Sequence, residues 1–370
     1  MRNTILKIFL ASSLLLTGLA VRAQQQVKYV DAQSLTHLGK LIDTPNPYDR
    51  VEVEKYPELN NTEARLLRFA AGESIVFETN SPEIWVKARY GVTGPPLSMP
   101  MMASCGFNLY IERDGEWLWA ASNCNRDGKD KEGNENMEKP LNLIKDMNAQ
   151  PKRCLLYLPL FAELTSLEIG VAEGSEIKAM TNPFRHKIAI FGSSFTHGAS
   201  ATCAGQIYAS YLQRMTGLDI SNFGMSGNSK LQRVMGEILA GTDAEAFICD
   251  AFSNPTPEII GERLRPFIEA IRAKHPHTPI IFLRTIYRER RNFDLKTEAF
   301  ESGRIAYAER LLKEMMSEFD DIYYISVSDQ TGTDHQTSAD GTHPSSWGHE
   351  RWARSIRKPI MKILARYGIK

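Results

Sequence analysis

The stretch Gly192-Ser193-Ser194-Phe195-Thr196-His197-Gly198 follows a short apolar run, residues 187–191, that is rich in β-forming side chains. An apolar run of this length that ends on glycine predicts a buried strand leading into a tight turn. The segment after the turn has apolar residues at helical spacing. Ser194 therefore lies on a predicted strand-to-helix turn, at the edge of a sheet where open α/β proteins bind ligands and helix N-termini favour anions.

The rest of the chain beyond residue 184 alternates short apolar runs with amphipathic segments. Strands are predicted at residues 187–191, 219–223, 246–249, 280–283 and 322–325. Helices are predicted at residues 206–215, 230–239, 257–274, 297–319 and 345–366. Alternation of this kind gives a parallel sheet with helices on both faces. We therefore expect an α/β domain with three layers, α/β/α, over residues 184–370.

Residues 24–183 have the pattern of an all-β domain. Polar and apolar residues alternate at 83–90 and 105–113, and Asp114-Gly115 predicts a hairpin turn into residues 116–119. Further strands are predicted at 65–69, 74–78, 153–158 and 167–171. Many short strands separated by turns predict a β-sandwich or jelly roll. The charged segment 126–147, rich in Gly and Asn, is predicted to be an exposed loop.

The N-terminus has the layout of a secretory signal peptide. Arg2 and Lys7 precede an apolar segment, residues 8–20, and small side chains stand at Val21 and Ala23. The apolar segment is too short for a permanent membrane anchor, and no cysteine follows the cut to carry a lipid. We expect residues 1–23 to be removed and the protein to be exported, periplasmic or secreted. The alternative is a short N-terminal helix of the fold.

The composition of the chain limits the classes of binding partner and cofactor that we expect. Lys and Arg together number 44, as do Asp and Glu, so the formal net charge is zero. No block of like charge indicates a nucleic acid or a membrane surface. The five cysteines, at 105, 124, 154, 203 and 249, show neither C-x-x-C nor zinc spacing. We expect no metal and no organic cofactor. Cys105 and Cys124 flank one predicted hairpin and are the first pair to check for a disulfide, which spacing alone does not establish.

Reactive side chains follow several of the predicted parallel strands. Ser194 comes after the first strand, Gly227 after the second and Asn254 after the third. Asp340 and His343 come after the fifth strand and before the last helix. Because the carboxyl ends of parallel strands meet at one edge of the sheet, we expect these residues to converge on one crevice.

Together these groups match the needs of acyl transfer. A serine hydroxyl is a weak nucleophile until a base removes its proton, and His343 is the candidate base, with Asp340 to orient it. The oxyanion of a tetrahedral intermediate needs preset donors. The candidates are the backbone N–H of Ser194, the N–H of Gly227 and the amide of Asn254. Each residue alone has an ordinary alternative as a cap, turn or surface residue, but their joint occurrence at strand ends favours catalysis.

Two further histidines lie close to these blocks. His197 is too near to Ser194 in sequence to act as its base, and we expect it to line the pocket wall. His349 lies six residues beyond His343 on the last predicted helix, and we expect it to be structural or on the surface.

With these blocks the chain resembles the SGNH hydrolases, the GDSL-type esterase superfamily. Its four signature residues correspond to Ser194, Gly227, Asn254 and His343. The resemblance covers residues 187–370 and implies a flavodoxin-like fold and a serine-dependent carboxylic ester hydrolase, with Asp340 completing the triad. Two departures stand out. Ser193 replaces the Asp that usually precedes the nucleophile, and the third block lacks the common Gly-x-Asn-Asp form.

A second resemblance lies in the all-β region. Gly106-Phe107-Asn108-Leu109-Tyr110 is similar to the Gly-x-Asp-Leu-Tyr signature of the β-sandwich that precedes some bacterial SGNH acyl-esterase domains, with Asn108 in place of Asp. This arrangement resembles exported esterases that deacylate carbohydrates. It implies hydrolysis of short acyl esters, acetyl esters above all, on a small-molecule or oligosaccharide substrate. The alternatives are a lipase or thioesterase of the same superfamily, and a glycan-binding protein without activity.

Overall fold

The computed structural model of the chain describes residues 26–124 and 139–370. The predicted signal peptide, residues 1–23, lies outside the described residues, as does most of the loop predicted at 126–147. In the described part of the chain, no helix combines the length and the apolar character that a membrane span requires.

The region before residue 180 forms two antiparallel sheets. Its strands are β1 Val27–Asp31, β2 Thr36–Leu38, β3 Ser74–Thr79, β4 Ile84–Thr93, β5 Phe107–Arg113, β6 Glu116–Asn123, β7 Leu141–Ile144, β8 Lys152–Tyr157, β9 Ala162–Ala172 and β10 Ile177–Ala179. One sheet has the order β1-β9-β4-β7, and the other has the order β10-β3-β8-β5-β6, with β2 beside β3. A shared apolar core, which includes Ile75, Leu109 and Ile169, lies between them. The predicted N-terminal β-domain is confirmed, and its sheets are antiparallel.

Two local predictions in this region are wrong. A strand is predicted at residues 65–69, but Asn61–Leu67 is helix α1. The Asn60 side chain accepts the backbone N–H of Glu63, and the Glu63 carboxylate accepts the N–H of Asn60, a capping box that starts a helix. The last part of the predicted loop is strand β7, which pairs with β4. A second short helix, α2, spans Met101–Ser104.

The predicted parallel sheet is confirmed, with a strand at each of the five predicted positions. These strands are β11 Arg185–Gly192, β12 Leu218–Gly224, β13 Ala246–Asp250, β14 Ile280–Leu283 and β15 Ile322–Ile325. Their order, β12-β11-β13-β14-β15, is the flavodoxin-like 2-1-3-4-5 order, which reverses direction between β11 and β13. In doubly wound sheets the ligand site lies at the carboxyl end of that switch point.

Helices cover this sheet. They are α3 Ser194–His197, α4 Tyr208–Thr216, α5 Arg233–Ala240, α6 Pro257–Arg272, α7 Leu295–Glu318 and α8 Ser346–Leu364. Helix α4 packs against α8, while α6 packs against both α5 and α7. The expected α/β class is therefore confirmed, and the boundary placed at residues 183 and 184 stays a prediction.

The sandwich and the parallel sheet share one hydrophobic core. Tyr157 and Phe161 of the sandwich belong to the same buried cluster as Ile207 and Phe223 beyond it. The Asn108 side chain, in the Gly-x-Asn-Leu-Tyr motif, accepts the N–H of Gly205 at 3.1 Å and donates to the Ala121 carbonyl at 2.9 Å. The motif therefore attaches the sandwich to the loop before α4.

Arg50 adds a polar link between the two regions. Its buried guanidinium donates to the Phe69 carbonyl at 2.7 Å and to the Leu66 carbonyl, both on the sandwich side. It also donates to the carbonyls of Asn222 at 2.7 Å and Gly224 at 3.1 Å, at the carboxyl end of β12. Buried carbonyls that lose their donor cost free energy, so this side chain holds the end of β12 against the sandwich.

Candidate active site

The nucleophile turn is compact. Strand β11 ends at Gly192, and helix α3 begins at Ser194, with Ser193 as its N-cap. The Ser193 hydroxyl accepts the N–H of Phe195 at 3.1 Å. A side chain at Gly192 would meet the Thr196 hydroxyl at 2.1 Å, so the close approach of strand and helix requires glycine there. The turn leaves Ser194 at the first position of α3, 6% exposed.

Three predicted catalytic residues are in hydrogen-bond contact. The Nε2 atom of His343 lies 2.9 Å from the Ser194 hydroxyl oxygen, and its Nδ1 atom lies 2.7 Å from the Asp340 carboxylate. The other carboxylate oxygen of Asp340 accepts the backbone N–H groups of Thr342 and His343 at 2.9 and 2.8 Å. This short turn fixes the carboxylate under the imidazole, as a triad requires.

The carboxylate of Asp340 sets the tautomer of the imidazole. Partial burial opposes its ionisation, but hydrogen bonds from the backbone and ring of His343 and from Thr342 outweigh that effect and lower its pKa to about 2. An ionised Asp340 binds the N–H form of Nδ1, which leaves Nε2 free to take the proton of Ser194. The arrangement is that of a general base held ready for a hydroxyl nucleophile.

The two predicted oxyanion loops lie beside the nucleophile turn. Gly227 has a φ of +72° in the turn that the Asn228 N–H closes on the Met225 carbonyl at 3.0 Å. The side-chain Oδ1 of Asn254 accepts the N–H of Ser229 at 3.3 Å, which leaves the N–H bonds of the same side-chain amide for another acceptor. The second and third loops are therefore joined, with donors of the predicted kind at the carboxyl edge of the sheet.

Asp250, at the end of β13, is a buried residue whose role the sequence does not reveal. One carboxylate oxygen accepts the hydroxyls of Ser193 at 2.7 Å and Thr196 at 3.2 Å, and the other accepts the hydroxyl of Ser253 at 3.3 Å. Burial raises its pKa to about 6 against these hydrogen bonds. Asp250 joins the nucleophile turn to the loop that carries Asn254. An acidic residue at the end of an apolar strand is the signal that could have marked it.

The predictions about the two other histidines have different outcomes. His197 is fully buried and stacks on Phe161, so the expectation that it lines the pocket wall is wrong. His349 is expected to be structural or on the surface, and the structure shows the first. It is buried, and its ring nitrogens contact the Tyr208 N–H and the Ala199 carbonyl. All five cysteines are free thiols, so Cys105 and Cys124 form no disulfide in this structure.

Comparison with protein families matches both regions. Residues 185–361 match the model of the GDSL-like lipase/acylhydrolase family. Residues 27–177 match the GxDLY model, described as the N-terminus of SGNH-hydrolase-type esterases. No functionally curated protein matches the chain.

Solved structures share the fold of both regions. A GDSL-like lipase candidate from Bacteroides ovatus is 36% identical over 92% of this chain and 98% of its own, with a TM-score of 0.86. The salicylyl-acyltransferase SsfX3 of a tetracycline biosynthetic pathway is 18% identical over 93% and 99%, with a TM-score of 0.66. A family two carbohydrate esterase from Cellvibrio japonicus is 10% identical over 92% and 99%, with a TM-score of 0.61. At such low identities the last two show the shared fold alone.

A flavodoxin-like sheet with serine, histidine and aspartate in contact at its carboxyl edge defines an α/β/α serine hydrolase. The chain belongs to the GDSL-like lipase/acylhydrolase family of SGNH esterases. It is a carboxylic ester hydrolase with an N-terminal GxDLY domain, so the expected family and enzyme class are confirmed.

Replacing Asp340 with Asn tests the tautomer argument. We expect kcat for p-nitrophenyl acetate to fall by up to about 10⁴-fold, because an amide no longer fixes the N–H on Nδ1 of His343. KM should change little, since substrate binding does not need this contact. Asp334→Asn is the matched control, because this exposed residue of the same segment pairs with Arg351 instead. An Asp340→Asn enzyme with more than a tenth of wild-type kcat would contradict the triad.

Burial of Asp250 predicts a pH dependence of stability. The unfolded carboxyl ionises near pH 3.8, whereas the folded one ionises near pH 6, so the folded state retains a proton that the unfolded state loses between these values. Through this group the free energy of unfolding should fall by about 2 kcal/mol as pH rises from 4 to 6. Asp250→Asn should lack that fall. Urea denaturation from pH 4 to 7 measures both slopes, and equal slopes would refute the assignment.

Proposed function

We propose that this protein is an exported serine esterase that hydrolyses short acyl esters, acetyl esters above all, on carbohydrates, through an acyl-Ser194 intermediate. The observation that carries the mechanism is the contact of His343 with both the Ser194 hydroxyl and the Asp340 carboxylate. The substrate and the export are argued separately below.

The geometry supports a two-step acyl transfer. His343 Nε2 takes the hydroxyl proton as the Ser194 oxygen bonds to the ester carbonyl carbon, and the oxyanion receives hydrogen bonds from the donors of Ser194, Gly227 and Asn254. The imidazolium then protonates the leaving sugar alkoxide as the ester bond breaks. A water molecule, deprotonated by His343, attacks the acyl-enzyme and releases the carboxylic acid and the free serine. Asp340 remains ionised throughout and stabilises the imidazolium.

A cleft with a mixed polar and apolar lining supports a carbohydrate as the alcohol part of the ester. This cleft has a volume of about 770 Å³, and its lining includes Asn228, the residue that follows Gly227, but not Ser194, Asp340 or His343. Its wall combines Asn60 and Glu63 of the sandwich region with Lys230 and Arg263 of the hydrolase region. Amide, carboxylate and ammonium groups match sugar hydroxyls better than they match a fatty acyl chain. The name of the Cellvibrio japonicus relative agrees with this choice.

Export rests on the N-terminal sequence. The basic residues Arg2 and Lys7, the apolar segment 8–20 and Ala23 at the cut have the order that a signal peptidase substrate needs. We expect the full-length chain expressed in a bacterium to leave the cytoplasm and to begin at Gln24. Mass spectrometry of the fractionated cells measures the mature N-terminus, and an intact chain that stays in the cytoplasm would refute this part of the proposal.

Substrate preference is tested with a series of p-nitrophenyl esters and with acetylated oligosaccharides. We expect kcat/KM for the acetate to exceed that for the octanoate by about 10-fold or more, and acetate to be released from acetylated xylo- or cello-oligosaccharides. Ser194→Ala should lower hydrolysis by at least about 10³-fold, because the covalent route is lost. It is the matched control for background hydrolysis, since a hydroxyl is the only group removed.

The same measurements separate the alternatives. A preference for long acyl chains or for thioesters would favour a lipase or thioesterase of the same family. A protein that binds oligosaccharides but neither releases acetate nor reacts at Ser194 with a fluorophosphonate would be a non-catalytic glycan-binding protein. Hydrolysis that is equal in the wild type and in Ser194→Ala would end the proposal.

A further inference from the structure

The imidazole of His197 bridges the sandwich and one oxyanion loop. Its Nε2 atom lies 2.7 Å from the Leu160 carbonyl oxygen, in the segment that follows β8. Its Nδ1 atom lies 3.4 Å from the backbone nitrogen of Ser226, the residue before Gly227. The ring stacks on Phe161, with centroids 4.0 Å apart and planes within 7°. His197 therefore has one contact on each side of the boundary between the two regions.

This bridge works only with a neutral ring. His197 is completely buried, and burial, with the nearby positive charge of Arg50 as the second cause, holds its pKa well below 6.5. A neutral imidazole carries one N–H. Because the Leu160 carbonyl can only accept, the proton belongs on Nε2, and Nδ1 is the acceptor for the Ser226 N–H. The two hydrogen bonds therefore specify a single tautomer and a single ring orientation.

The loop that His197 contacts is held by hydrogen bonds on either side of Gly227, and not by packing at Gly227 itself. Gly227 has a positive φ, and a side chain built on it would meet no atom within 4 Å, so packing does not hold this residue in place. Behind the loop, the Asn222 amide donates to the Thr196 carbonyl at 2.6 Å, and Arg50 binds the carbonyls of Asn222 and Gly224. Between these anchors and Gly227, the Met225 N–H donates to the Gly192 carbonyl at 2.8 Å, and the Asn228 amide donates to the Ser226 carbonyl at 2.8 Å. The bond to His197 adds a contact that also reaches the sandwich.

We propose that His197 is a positioning residue that fixes the Gly227 oxyanion donor and ties its placement to the Leu160–Phe161 segment of the sandwich. The proposal rests on the esterase function proposed above. It gives the sandwich a part in transition-state stabilisation without contact with the reacting atoms. An oxyanion donor acts through geometry, because it must lie 2.7–3.1 Å from the oxygen of the transition state.

Two amide substitutions separate this role from simple packing. In His197→Asn the side-chain oxygen can occupy the position of Nδ1 and still accept the Ser226 N–H, while the bond to Leu160 is lost. In His197→Gln the longer amide can reach the Leu160 carbonyl, while no acceptor remains at the Nδ1 position. Both variants remove the aromatic stack on Phe161 and each loses a different hydrogen bond, so their difference compares the bond to the oxyanion loop with the bond to Leu160.

We expect His197→Gln to lower kcat for p-nitrophenyl acetate by about 10- to 100-fold with KM within about twofold, since complete loss of one donor costs about 10²–10³-fold. His197→Asn should retain kcat within about fivefold of the wild type. The inhibition constant of a trifluoromethyl ketone, whose serine adduct carries an oxyanion, should rise in each variant by the same factor as kcat falls. Active sites are counted by complete fluorophosphonate labelling, so unfolded protein does not enter the rates.

His275→Gln is the matched control. This histidine also bonds through both ring nitrogens, to Thr242 and Thr278, and packs edge-on against Phe247, but it lies at the opposite edge of the sheet. Its kcat should stay within twofold of the wild type. Equal losses in the two His197 variants, a larger loss in His197→Asn, or a loss carried by KM would overturn the proposal. A wild-type protein without Ser194-dependent hydrolysis would instead refute the esterase function itself.

Discussion

The register of strand β11 is the constraint on which the site depends. Gly192, its last residue, lies opposite Gly224 of β12 on one side and opposite Asp250 of β13 on the other. The three strands therefore end at the same level, and the nucleophile turn and the two oxyanion loops leave the sheet side by side. These strands are buried, so a slip of one residue would turn every side chain of β11 to the other face. Packing of the sheet thereby fixes the relative height of the reacting groups.

The sequence predicted the parallel sheet well, because strands that are buried on both faces consist of continuous apolar runs. The strands of the all-β region were harder to predict from the sequence. Leu66, Leu67 and Phe69 look like strand sequence. Leu66 and Leu67 nevertheless end helix α1 and Phe69 follows it, because the capping box of Asn60 and Glu63 starts that helix before these residues. The capping box is readable in sequence and outranks local β-preference there. Strand β7 is the short apolar run Leu141–Ile144 near the end of a charged segment, and its pairing with β4 comes from tertiary contact.

In the active site, the sequence predicted the residues whose side chains are reactive by their type. Ser194, Asp340 and His343 were recognisable because topology places strand ends together. The supporting residues were not. Arg50 and Asn222 are 172 residues apart, and nothing in either segment marks the other as its partner. A buried arginine or histidine that holds backbone groups has no sequence pattern, because its partners are peptide groups that every residue possesses.

The exchange of the family's usual aspartate for Ser193 is explained by its neighbour on β13. The Ser193 hydroxyl donates to Asp250 at 2.7 Å while it accepts the N–H of Phe195, so one atom caps α3 and attaches the turn to the sheet. A carboxylate at position 193 would face the buried carboxylate of Asp250, and two such groups cannot both ionise without strong repulsion. A hydroxyl at 193 and an acid at 250 therefore form a matched pair. The negative charge behind the nucleophile comes from the adjacent strand, and the departure from the family pattern leaves the turn firmly anchored.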